Sequence, residues 1–167
     1  MVRVDPTVRT STAALQAQSE MAGALLAMRS ELNRTLRGLD ALKSQLDERR
    51  RLAKQLGRGP EGELETQLAK AEGQLKDITG TLARPEGIPP YATGLRLSEQ
   101  LQGLFGDVDG AFAAPTTPQQ EYFKELQEQV RQALARAEAF RKEALGSLNE
   151  ALAKSELPPV IATQPRP

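Results

Sequence analysis

Leucine recurs every seven residues at Leu25, Leu32, Leu39 and Leu46, and Met28, Leu36 and Leu42 fill the intervening turns. A second run, Leu64, Leu68, Ala71, Leu75, Ile78 and Leu82, steps by 4, 3, 4, 3 and 4. Alternating steps of three and four place one apolar stripe on one face of a helix, and a stripe of this kind is the seam of helices packed side by side. The seam takes up most of the apolar residues and leaves few to line a pocket.

The punctuation between the stripes predicts four helices. The first starts with Ser11 or Thr12 as its cap and covers about 12–56, where Gly57, Gly59 and Pro60 stop it. Gly23 and Gly38 inside it each cost about 1 kcal/mol relative to alanine. They are read as tolerated surface positions, with close helix approach as the other explanation. The second helix covers about 63–82. Glu61, Glu63 and Glu65 crowd its start, and Arg49, Arg50, Arg51 and Lys54 crowd the end of the first. Each set complements the dipole of its own helix end, and the two sets face each other across a short turn, so an antiparallel hairpin is expected.

Arg84-Pro85-Glu86-Gly87-Ile88-Pro89-Pro90-Tyr91 should exclude regular helix, with Ile88 and Tyr91 pinning the loop to the bundle. A third helix at about 95–107 presents Leu97, Leu101, Leu104, Phe105 and Val108, and Asp109-Gly110 and Ala114-Pro115 break the chain after it. The fourth covers about 118–154, with Thr117 as cap, Pro118 at the first helical position and Gln120 three residues after the cap. Its seam is Phe123, Leu126, Val130, Leu134, Ala137, Leu145, Leu148 and Leu152. The extended tail Leu157-Pro158-Pro159-Val160-Ile161 is expected to dock on a bundle end, and 162–167 to be disordered.

Helix lengths suggest the architecture. At 1.5 Å per residue the first helix spans about 65 Å, the second about 30 Å and the third about 20 Å. The expected fold is an all-α, elongated antiparallel bundle with three legs, whose middle leg is broken between the second and third helices. An up-down four-helix bundle is the alternative. It would leave half of each long helix without a partner.

Composition narrows the chemistry. The 167 residues contain 22 basic and 22 acidic side chains and no histidine, cysteine or tryptophan. Zero net charge gives no general attraction to nucleic acid or anionic membranes. The longest strongly apolar stretch, Met21 to Met28, is far too short for a membrane span. Common zinc sites and histidine-based nucleophilic arrangements lack their residues, and no glycine-rich phosphate loop follows a strand. Asp107-Val108-Asp109-Gly110 resembles the start of a calcium loop but lacks the remaining ligands, so it reads as a turn. Arg49-Arg50-Arg51 with Lys54 and Arg58 has no interleaved aromatic residues and lies opposite acidic ones, which argues against nucleic-acid binding. No catalytic, metal or cofactor residues are assigned. Tyr91, Tyr122 and Phe123 are the candidate partner-contact residues, with capping of the core as their alternative role.

The N-terminus adds one clue. Val2-Arg3-Val4 alternates and Asp5-Pro6 ends it, as at the end of a β-strand leaving another domain or in an irregular terminus. Residues 1–10 are therefore assigned to a preceding β domain or linker, and 11–161 to the helical domain.

Val4-Asp5-Pro6-Thr7-Val8, Ser11 and Leu15-Gln16-Ala17-Gln18 resemble a junction in large bacterial secreted proteins with sortilin-like or BNR-repeat, glycosyl-hydrolase-like β-propellers. There the segment joins the propeller, through a small β-sandwich, to a C-terminal helical region. Tyr91-Ala92-Thr93-Gly94-Leu95-Arg96, with Leu101 and Leu104 to Asp109, is similar to that region. So is Ala114-Pro115-Thr116-Thr117-Pro118-Gln119-Gln120, leading into Tyr122-Phe123-Lys124-Glu125-Leu126. The resemblance covers Val2 to about Ile161. It implies export, to the periplasm, the cell surface or the medium, and preceding β-sandwich and β-propeller domains as partners. It carries over no catalytic residues.

The expected role is a non-catalytic accessory module that braces or extends a larger exported protein or holds a protein partner. The alternatives are a self-associating coiled coil, for which the stripe Leu26, Arg29, Asn33 and Arg37 is too polar, a free-standing helical adaptor, and a carboxylate-based glycan hydrolase.

Overall fold

The computed structural model describes residues 10–57, 62–85 and 87–162, and every element among them is helical. They form α1 (Thr12–Gln55), α2 (Glu63–Leu82), α3 (Pro90–Thr93), α4 (Leu97–Asp109), α5 (Thr117–Ala139), a π-helical turn (Phe140–Ala144) and α6 (Leu145–Lys154). The expected strand end at Val2–Val4, the residues Gly59 and Pro60, and the last residues of the tail lie outside the described residues.

Ser11 caps α1, its hydroxyl accepting from the Ala14 N–H at 3.2 Å, and Gly57 ends it at φ +69°. The 44 residues of α1 span about 66 Å, and two helices share that length. α2 lies against its C-terminal half, where Arg50 pairs with Glu65 at 2.8 Å and Glu72 at 2.6 Å. α4 lies against its N-terminal half, where the Gln18 amide donates to the Val108 and Asp109 carbonyls at 2.8 and 3.0 Å. Both run antiparallel to α1. α5, the π turn and α6 form the third leg: Tyr122 meets Gln100 of α4 near one end, and Lys154 meets Glu63 of α2 near the other. This is the three-legged bundle with its middle leg broken between α2 and α4, and the α1–α2 hairpin carries the charge pairing read from the sequence.

The predicted stripes are the core. Leu25, Leu32, Leu39, Leu42 and Leu46 of α1, Leu68, Ala71, Leu75, Ile78 and Leu82 of α2, and Leu97, Leu101, Leu104 and Val108 of α4 are all buried together. Met28, Leu36, Leu64, Phe105, Phe123 and Leu134 pack on the edge of that core. Arg29 lies over the Phe105 ring, 5.6 Å from its centroid. The tail docks as expected: Leu157 and Val160 are buried, Asn149 exchanges two hydrogen bonds with Val160, and Arg49 donates to the Pro158 and Pro159 carbonyls.

The structure corrects several expectations. Thr116, not Thr117, caps α5: its hydroxyl accepts from the Gln119 N–H and its own N–H donates to the Gln119 side chain. Pro118 then occupies the second helical position, where its missing N–H is equally harmless. α4 starts at Leu97 rather than 95, because Glu99 accepts from the Arg96 N–H at 2.8 Å. Arg96 has no side-chain acceptor, so only this half of a capping box forms. The proline loop holds one helical turn, α3, opened by Pro90 in the first turn, where proline is tolerated. Gly38 is buried, so it is a packing position, while Gly23 faces open space.

The fourth helix is also not continuous α-helix. Its buried positions step 126, 130, 133, 137 and 140, then jump five to 145, before 148 and 152. The π turn absorbs that one extra residue. Without it, α6 would rotate by about 100° and turn Leu145, Leu148 and Leu152 away from α2.

Candidate functional site

Loop 83–96, the elbow between α2 and α4, brings predicted contact residues to one place. Two prolines in succession hold the chain extended at Pro89 and open α3 at Pro90, and Gly94 closes α3 at φ +69°. One side chain fixes this shape. The Arg84 guanidinium donates from Nε and one terminal nitrogen to the two Glu99 carboxylate oxygens, both at 2.7 Å. Its remaining N–H groups reach the Pro89 carbonyl at 3.0 Å, the Thr93 hydroxyl at 2.7 Å and the Gly94 carbonyl at 2.8 Å. All five donors of the fork are thus satisfied. The Arg84 hydrogen bond, helped by the Arg96 N–H, lowers the Glu99 carboxyl to about 2.

This anchored loop does not bury its apolar side chains. Tyr91 is 92% exposed, Leu95 61% and Ile88 37%, so the expectation that Ile88 and Tyr91 pin the loop is corrected: Arg84 holds it from the polar side. Tyr122 joins from α5. Its hydroxyl donates to the Gln100 side chain at 3.1 Å, and the Gln100 amide donates to the Leu95 carbonyl at 2.9 Å. Partial burial, with Glu125 nearby, raises the Tyr122 phenol above its ordinary value. Tyr91 and Tyr122 therefore belong to one elbow, whereas Phe123 packs on the core edge. Sequence reading missed Arg84, Leu95, Glu99 and Gln100. The usable signal was an arginine directly before the proline loop, with a glutamate three residues beyond Arg96.

A groove of about 340 Å³ lies between α2 and the third leg at the π turn, over Ala71 and Phe140. Lys70 and Arg136 face Asp77 and Glu143 on its rim; the mixed signs select no ion. Among the described residues no group of three histidine, cysteine or acidic side chains could hold a metal, and no helix is long and apolar enough to cross a membrane. Chemically, the elbow offers exposed apolar and aromatic surface on a fixed backbone.

No protein-family model, curated protein or solved structure matches the chain.

Proposed function

We propose that the chain is a non-catalytic helical module that braces or extends a larger exported protein. The observation that carries this reading is the core that α1 contributes to from Ala22 to Ala53. Two partner helices, about 30 and 20 Å long, follow one another along the roughly 66 Å of α1, and Arg84 stiffens the place where the supporting leg is interrupted. A rod of this build transmits position from one end to the other. Export and the preceding β domains rest on the resemblance of the Val4–Val8 junction and the Tyr91–Arg96 and Ala114–Leu126 segments. The test is the full open reading frame and its product. A signal peptide and upstream β repeats, with an upstream domain that melts lower when 11–161 are removed, support the role. A gene that starts at Met1 overturns it.

A second reading, capture of a protein partner, has its own observation: Tyr91 and Leu95 stand exposed on a backbone that is already ordered, so binding there would cost little conformational entropy. A photo-crosslinker at position 91, compared with one at exposed Lys43, tests it. Site-specific adducts at 91 support capture, and equal labelling from both positions rules it out.

A further inference from the structure

The tail after α6 is held as a bound peptide is held. The chain turns back at Glu156, which lies at φ +53°, and no residue from 157 to 162 is helical. The Glu156 N–H donates to the Ala153 carbonyl at 3.0 Å and the Leu157 N–H to the Leu152 carbonyl at 2.9 Å. This pair of bonds ends a helix when the residue after the cap lies in the left-handed region. Glycine accepts that region freely and glutamate does not, so a strained hinge joins the tail to α6.

Beyond the hinge, every backbone N–H and carbonyl of residues 158–161 meets a side chain. Pro158 and Pro159 have no N–H, and Arg49 donates to their carbonyls at 2.9 and 3.2 Å. Asn149 exchanges two hydrogen bonds with Val160, and Gln45 exchanges two with Ile161, at 2.8 and 3.0 Å in each case. The prolines hold the segment extended. Leu157 and Val160 are buried while Pro158 and Pro159 face solvent, a spacing of three that matches the repeat of polyproline II. The cleft between α1 and α6 thus binds main chain from both walls and seats two apolar anchors. None of these contacts requires the tail to belong to the same chain.

We infer that the α1–α6 cleft is a recognition groove for an extended Leu-Pro-Pro-Val-Ile segment, and that its partner is the tail of a second copy of this chain, exchanged by opening at Glu156. Every copy carries the segment that fits. Exchange releases Glu156 from the left-handed region and keeps the contacts of residues 157–161, and a reciprocal exchange closes as a two-fold dimer. It requires neither export nor a preceding domain.

Two full-length variants isolate the step. Val160→Asp disables the tail and leaves the groove intact. Gln45→Leu with Asn149→Leu disables the groove and leaves the tail intact. Neither variant can dock its tail, in its own groove or in that of an identical copy. A mixture can, with the tail of the second in the groove of the first. A short tether gives an effective concentration of about a millimolar, so a tail that stays docked on its own chain must bind another copy with a Kd below that value. The expected sedimentation result is a monomer for each variant alone and a heterodimer in the mixture as total chain approaches a concentration of about a millimolar. A mixture that stays monomeric overturns the exchange. So does a dimer of either variant alone, since the contact then lies elsewhere. Helix content and melting temperature check folding. Where a variant loses its helices, the parent chain is titrated instead with a peptide of residues 155–162 in excess. Faster amide exchange at Val160 and Ile161 of the parent means that the peptide displaces the tail and supports the groove, and unchanged exchange overturns it.

Discussion

Arg84 and Glu99 lie 15 residues apart and meet through two parallel hydrogen bonds of 2.7 Å, across the gap where the middle leg is broken. The bidentate pair does for the gap what intrahelical hydrogen bonds do elsewhere. It joins the residues that follow α2 to the first turn of α4 and leaves the intervening loop free to expose Tyr91.

The pair should make stability depend on pH at the acid end. The Glu99 carboxyl falls from 4.5 to about 2 on folding, through Arg84 and the Arg96 N–H. A lowered folded pKa means that the contribution is fully present above about 4.5 and is lost as pH falls toward 2. Glu99→Gln should therefore lower the melting temperature at neutral pH, and the gap to the parent should close between these pH values. Glu128, lowered to about 2 by Arg131 and Gln132 on an exposed face, titrates in the same window, so the comparison is made in a Glu128→Gln background. A gap that persists unchanged at pH 2 refutes the assignment.

Leu39 is fully buried in the middle of the seam. Truncation there removes contacts and leaves a cavity. Leu39→Ala should cost about 2–5 kcal/mol, read from urea unfolding curves at constant slope.

Gln18 is a buried polar residue on the N-terminal half of α1, and its amide satisfies two carbonyls at the end of α4. Gln18→Met keeps the shape and removes the donor. The expected loss is about 1–3 kcal/mol, and amide exchange should rise first at the C-terminal end of α4.

The π turn can be tested by deletion. Removing the exposed Lys142 takes out the one extra residue, so the step from Phe140 to Leu145 becomes four and a continuous α-helix keeps Leu145, Leu148 and Leu152 against α2. The deletion variant should therefore melt like the parent, with the exchange protection of α6 and the docked tail retained. Loss of protection in α6 and the tail would contradict the register argument.

Tyr91 offers the opposite expectation. At 92% exposure it supports no packing, and Tyr91→Ala should change stability by no more than about 0.5 kcal/mol. A larger loss would mean that the elbow depends on the ring and not on Arg84.

How much was readable in advance follows from the range of the forces involved. The stripes at Leu25–Leu46 and Leu64–Leu82 declare helices because burial repeats with the helical period, and each residue reports its own face. The opposed charges at Arg50 and Glu65 declared the hairpin because they sit at helix ends. The cap of α5 was read one residue late, since Thr116 and Thr117 each have a glutamine three positions on and only backbone geometry chooses between them. The eight-residue step from Ala137 to Leu145 was visible, but its meaning depended on Phe140 also facing the core. At the elbow, Ile88 and Tyr91 were read as anchors from their hydrophobicity, while the anchor is a charged side chain reaching across the loop.

The sequence by itself determined that this chain is a set of amphipathic helices with a leucine and alanine core, because periodicity and capping are local properties. Only the tertiary structure decided that α2 and α4 follow one another along α1, that five donors of one arginine lock the joint, and that a π turn resets the third leg. These depend on residues distant in sequence meeting in space, and no local pattern encodes which partner a side chain will find.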